Sequence, residues 1–118
     1  MSDIRANTIS DVAGTGPIEL TKQSAAKAWA KVSGAAALTG GMNISSVTDN
    51  STGFFTFSFA NSFSSQDYSA TAASMTSGSR ETHCSGNTTS EVSTRSVKVV
   101  EGTPVDVANS LQIHGDLA

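Results

Sequence analysis

With one cysteine, Cys84, in 118 residues, the chain can form no internal disulfide, and its stability has to come from packing. Charge is scarce as well. Only 14% of the residues are charged, against about a quarter in ordinary soluble domains. The formal net charge is −3 and there is no basic run. Nothing here would attract a phosphate backbone, so nucleic-acid binding is not expected. No apolar run approaches the length of about 20 residues that a membrane-spanning helix needs. The opening Met1-Ser2-Asp3-Ile4-Arg5 lacks the apolar stretch of a secretory signal. Synthesis in a cytoplasm without membrane insertion is the expectation. Aromatic residues are few: five Phe, one Trp and one Tyr. The core is therefore expected to be thin, and in a small domain a thin core is often completed by partner chains.

Ser, Thr, Ala, Gly and Asn supply most of what remains. Disorder usually pairs high charge with few aromatic and β-branched residues; this polar, uncharged composition suits β-structure instead. The organising stretch is residues 43–60. Phe55, Phe57 and Phe59 recur at every second position, which places all three rings on one face of a strand and Thr56, Ser58 and Ala60 on the other. The preceding Thr48-Asp49-Asn50-Ser51-Thr52-Gly53 is turn-forming, because Asn and Asp tolerate a left-handed backbone and Gly adopts it freely. The two together read as a β-hairpin whose phenylalanine face is the main apolar surface.

Residues 24–32 contain strong helix formers. Their alternation nevertheless separates Lys27, Trp29 and Lys31 from Ala28, Ala30 and Val32, and the run closes early at Ser33-Gly34. A short strand is the preferred reading, to which the resemblance described below contributes. Residues 35–41 are a small-residue loop or weak strand, and residues 61–67 a polar connection. Residues 68–75 alternate softly, with Tyr68, Ala70 and Ala72 on one face. Residues 77–90 form the longest polar stretch, an exposed loop with room for a short strand at 81–84. Residues 91–100 read as a strand with Arg95, Val97 and Val99 on one face. After a turn at 101–104, residues 105–114 read as the last strand, with Leu111 and Ile113 on one face and Gln112 and His114 on the other.

Short strands separated by turn signals predict an all-β fold, an antiparallel β-sandwich or barrel-like domain over residues 24–118. Residues 1–23 have too few apolar side chains to fold alone and read as an extended N-terminal arm, with Ile4, Ile9, Ile18 and Leu20 as its attachment residues. Trp29, Phe55, Phe57, Phe59, Val97, Val99, Leu111 and Ile113 are the candidates for core or subunit interface. Asp49, Asn50 and Thr52 in one loop, and Asn87 and Thr88 in another, are the candidates for outward-facing recognition.

The residues that carry chemistry are sparse. No nucleophile elbow, phosphate-binding glycine loop or zinc-protease helix is present. His83 and Cys84 are adjacent, so on a strand they point to opposite faces and cannot converge as a catalytic pair. Two histidines and one cysteine fall short of the four ligands of a structural zinc site. Only three copies about an axis, each supplying His83 or His114, would gather three ligands. No enzyme activity, cofactor or metal is expected. Trp29 between Lys27 and Lys31 has two readings, a saccharide-stacking platform and the commoner core or interface residue.

Residues 9–17, Ile-Ser-Asp-Val-Ala-Gly-Thr-Gly-Pro, and residues 20–29, Leu-Thr-Lys-Gln-Ser-Ala-Ala-Lys-Ala-Trp, resemble a segment of bacteriophage tail-fibre-like and related virion proteins. So does the run from Asn43 to Phe59. Tyr68 matches a tyrosine strand that usually follows in that family, and the closing His114-Gly115-Asp116-Leu117-Ala118 is similar to a terminus seen there. The pattern extends from about residue 8 to the end and is weakest across 77–90. The resemblance implies a β-rich, trimeric virion protein of tail-fibre or spike type, made in the host cytoplasm. Its expected partners are other copies of itself, other tail or capsid proteins, and a host-surface glycan or protein. Residues 1–23 would attach it to the particle. One departure is that Met1 stands only a few residues before the shared region, which points to a small protein rather than a long fibre. A head fibre or capsid decoration protein is therefore the competing expectation, and a carbohydrate-binding module a third.

Overall fold

The structure, a computed structural model, describes residues 25–118. Its strands are β1 (Ala28–Val32), β2 (Leu38–Met42), β3 (Ile44–Ser51), β4 (Phe54–Phe59), β5 (Ser69–Ser74), β6 (Arg80–Ser85), β7 (Glu91–Lys98) and β8 (Asn109–His114), and no helix occurs among the described residues. They form two four-stranded antiparallel sheets, ordered β2-β1-β8-β5 and β3-β4-β7-β6. The two sheets pack face to face as an all-β sandwich, the architecture that the alternation predicts. The arm residues Ile4, Ile9, Ile18 and Leu20 lie outside the described residues.

The phenylalanine hairpin has the expected faces. Phe55, Phe57 and Phe59 are buried, while Phe54, Thr56 and Ser58 between them are half-exposed on the outer side. The turn is tighter than the polar cluster suggested. Asp49 still pairs with Phe55, the ladder runs on to Ser51 opposite Phe54, and only Thr52 and Gly53 connect the strands. The opposing sheet meets the rings with small side chains, Ala28, Ala30 and Val32 from β1 and Ala70 and Ala72 from β5, together with Leu111 and Ile113 from β8. Large residues on one sheet against small ones on the other let the two inner faces interlock.

Asn43 carries the chain from one sheet to the other. Its φ of 58° is a left-handed conformation that Asn tolerates better than most residues. The side chain fixes the corner: Oδ1 accepts from Asn61 N at 2.6 Å and Nδ2 donates to the Asn61 carbonyl at 3.0 Å.

Three expectations need correction. Val99 is 55% exposed and lies in the turn after β7, not in a core or strand. Val97 is on the outer side of β7, half-buried and bridged to Pro104. The inner face of β7 is instead Val92, Thr94 and Ser96, all buried. The Ser96 and Thr82 hydroxyls satisfy each other at 2.8 Å, which lets polar side chains occupy inward positions that apolar patterning gave to the valines. The last strand begins at Asn109 rather than 105. The short strand allowed for at 81–84 is present as β6 and pairs along β7, so the polar stretch 77–90 is two turns around it.

Phe63, in the polar connection, is buried and completes an aromatic cluster that composition did not reveal. Its ring lies 4.9 Å from that of Phe59 and 4.7 Å from that of Tyr68. The Tyr68 hydroxyl donates to the Glu91 carbonyl at 3.0 Å. Burial foremost, with the nearby Cys84 and Glu91 adding to it, pushes the phenol up from 10.0 to about 12. The unfolded chain therefore loses the proton first, and stability should fall as pH rises from about 10 towards 12. Tyr68 is the one tyrosine in the chain, so absorbance at the phenolate band reads it alone. Titration at the ordinary value in the folded protein would contradict this packing.

Candidate interaction surfaces

The sandwich is closed along one side and open along the other. β5 packs closely on β6, whereas β2 and β3 make few contacts across their side. Both are edge strands, each with one free backbone edge. Inward-facing residues there are incompletely covered: Leu38 is 41% exposed, and Ile44 and Val47 are only half-buried. A free edge beside uncovered apolar side chains is a standing template for another chain.

The second surface is the outer face of the sheet β2-β1-β8-β5. Trp29 lies here, 40% exposed, so it is not a core residue. The reason is local. Trp29 pairs with Met42 on β2 and Gln112 on β8, and next to it Lys31 pairs with Gly40 and Ser110. A Cβ on Gly40 would stand 3.4 Å from both Cη2 and Cζ3 of the indole. The benzo ring thus lies over the bare backbone of Gly40, which substitutes for the buried pocket that a tryptophan usually seeks.

The candidate recognition loops do not meet. Residues 52–53 sit at the end of the sandwich that also holds residues 75–79 and 99–107, because Ser96 N donates to Gly53 O and Val99 N to Ser79 O. Asn87 and Thr88 lie at the opposite end, where residues 25–27 and 115–118 also lie. There Phe59 N donates to Ser90 O, and Lys27 N to Ile113 O. Thr88 is occupied by its own turn, its Oγ1 accepting from Glu91 N at 3.0 Å and Ser90 N at 3.3 Å. Asn50 Nδ2 donates to Thr56 Oγ1 at 2.7 Å on the outer face of β4, while Asp49 and Thr52 are exposed. Beside them the first-named end carries exposed Met75, Val99 and Val100. It also carries the Lys98–Glu101 pair at 3.2 Å, with the ammonium holding the Glu101 carboxyl below its usual range.

No family model, curated protein or solved structure matches the chain. Function must therefore be argued from these surfaces and from the residues themselves. His83 is exposed and faces Arg95 across the ladder, whereas Cys84 is half-buried opposite Thr94. Burial pushes the Cys84 thiol above its ordinary value, so it is a poor nucleophile at neutral pH. Among the described residues no group of three or more His, Cys, Asp or Glu side chains is placed to hold a metal ion.

Sequence reasoning missed the open β2/β3 side altogether. The signal was there in Leu38-Thr39-Gly40-Gly41-Met42, a strand with two adjacent glycines that leaves its neighbours uncovered.

Proposed function

We propose that this chain is a bacteriophage virion structural protein of tail-fibre or spike type, which self-associates as a trimer and presents one end of its sandwich to the host surface. The observation that carries the reading is the open β2/β3 side, with Leu38 exposed and Val47 half-covered in an otherwise packed sandwich. The sparse core is completed there by sister copies. The resemblance of residues 9–29 and 43–59 to virion proteins supports the same conclusion. Residues 1–23 attach the domain to the particle. They join it at the end that holds Asn87 and Thr88, so that end faces the particle. Asp49, Asn50 and Thr52, with Met75 and Val100 beside them, face outward. Contact is made by many weak sites multiplied by copy number.

Sedimentation equilibrium of the full chain tests the association. A mass of three 12.0 kDa chains is expected, and a monomer at every concentration would overturn the reading. Leu38→Glu should leave the monomer folded, since the residue is part-exposed there. Burying an unpaired carboxylate in the assembly should weaken trimer formation by roughly a hundredfold or more. The competing role, decoration of the head, differs in location, and immunogold labelling of particles tells tail from head.

A further inference from the structure

The geometry points to a saccharide-binding site on the outer face of the sheet β2-β1-β8-β5, centred on Trp29 and selective for anionic glycans. For the source of the glycan, a host surface, this inference rests on the reading above. It adds a contact on a strand face to the one made by the outward end.

Cross-strand pairing puts Met42, Trp29, Gln112 and Thr71 in one row across the four strands, and Gly40, Lys31, Ser110 and Ala73 in the next. The rows are about 14 Å long, from the spacing between neighbouring strands. At one end lies the indole, its benzo ring laid over Gly40 and 40% of the residue open to solvent. The C–H bonds of a pyranose carry slight positive charge and pack against the negative face of an aromatic ring. At the other end the small side chains of Ala73 and Ser110 leave a shallow depression of about 230 Å³, lined also by Thr71, Ala72 and Gln112. Gln112 stands between the two. Its amide, with the Ser110 and Thr71 hydroxyls, offers donors and acceptors together, as sugar hydroxyls require. A chain stacked on Trp29 therefore extends across Gln112 into the depression.

Charge selects the kind of saccharide. The four strands carry no carboxylate, in a protein with ten Asp and Glu residues. Lys31 is exposed one row from the indole, and Lys27 lies on the same side of β1. Asp67 and Asp116 lie beyond the strand ends at the Lys27 side, and Asp106, three residues before β8 at the Lys31 end, is turned to the Gly53 amide, which leaves Lys31 as the anchor. A uronate or sialate carboxylate can accept a charge-assisted hydrogen bond from it. A second copy of the chain suits this face less well than a saccharide does. Trp29 and Met42, 40% and 43% exposed, are of types enriched at protein–protein interfaces, but the rest of the face is lined by Lys, Ser and Ala, which are depleted there, and the apolar residues Leu38 and Val47 open onto the β2/β3 side.

Trp29 is the chain's single tryptophan, so its emission reports on this face alone. Full-length protein should be titrated with polygalacturonate, with polysialic acid and with neutral dextran. Saturable change in Trp29 emission with one or both polyanions, and little with dextran, is expected. Lys31→Gln should weaken that binding roughly tenfold, the scale of one lost ionic contact, and added salt should weaken it in the wild type. Equal response to dextran, or no effect of Lys31→Gln, would overturn the charge selection. Silence to all three polymers would overturn the site. So would emission that moves only on dilution, with the trimer mass, because a sister copy would then cover the indole. Silence from a protein that still sediments as a trimer leaves the virion reading untouched, whereas saccharide binding by a protein that stays a monomer at every concentration overturns that reading and leaves the site.

Discussion

Phe57→Ala should lower the unfolding free energy by about 3–5 kcal/mol, the range for deleting a buried ring and leaving its cavity. Phe57 is fully buried, paired with Val47 on one side and Val92 on the other. Its neighbours are held by ladders on both sides, so they can close the void only in part. A domain of this size has a total stability on the order of 5–15 kcal/mol, and the variant should therefore be marginal at room temperature. Phe57→Ser should be worse, since a hydroxyl in that layer adds about 1–3 kcal/mol if unpaired. Phe54→Ala is the control. It lies three positions away on the same strand but on the outer face, half-exposed, with the Arg95 guanidinium 4.6 Å above its ring. Its loss should cost only about 1 kcal/mol, within the range of a cation–π contact at a partly exposed site. Urea unfolding of the three variants measures the difference. Similar midpoints for Phe57→Ala and Phe54→Ala would mean that the inner and outer faces of β4 have been exchanged.

That hairpin was legible because three identical rings at period two leave no other arrangement. β1 was legible for a related reason. Ala28, Ala30 and Val32 are buried and Lys31 exposed, although the residues by themselves favour a helix. Tertiary pairing overrides such propensity routinely. β7 was legible as a strand, Glu91–Lys98 against the expected 91–100, but its inner face was not, because that face mixes one valine with Thr94 and Ser96. Their inward position depends on a hydroxyl partner, Thr82, that comes from another strand. Phe63 was hidden by polar neighbours; its burial comes from the bridge to Leu117, a contact 54 residues distant in the chain.

The surfaces were harder still to see. The loops were recognisable as loops, but which end of the sandwich each occupies depends on strand order, which local patterning does not encode. The exposure of Trp29 follows from a glycine on the neighbouring strand, and register alone brings the two together. Burial tendency pointed the other way, towards the core. A saccharide platform and a core or interface residue were both compatible with Lys27-Ala28-Trp29-Ala30-Lys31; the placement of Trp29 over Gly40 removes only the core.

Gly53→Ala should be the most damaging single-methyl addition in the described domain. The residue has φ of +72°, where a non-glycine side chain costs about 1–2 kcal/mol. Space is the larger obstacle. A Cβ there would overlap the Ser96 carbonyl oxygen and stand 2.9 Å from Val105 N. Both are backbone atoms, fixed by their own hydrogen bond of 3.1 Å. Gly53 is also tied on both sides of its peptide, its N–H donating to Asp106 Oδ1 at 2.6 Å and its carbonyl accepting from Ser96 N at 2.8 Å. Moving the turn to admit the methyl group breaks some or all of these bonds, each worth about 0.5–1.5 kcal/mol, more for the one to a carboxylate. The total loss should be about 3 kcal/mol or more, from the backbone cost and two or three such bonds. Gly102→Ala separates the two causes. Its φ is +66°, but nothing lies within 4 Å of the added Cβ, so only the backbone cost of about 1–2 kcal/mol should appear. Urea unfolding of both variants, with amide exchange at Ser96 as a local probe, measures the gap. If Gly53→Ala costs no more than Gly102→Ala, residues 104–106 are not clamped on this turn, and this end of the sandwich is looser than the hydrogen bonds indicate.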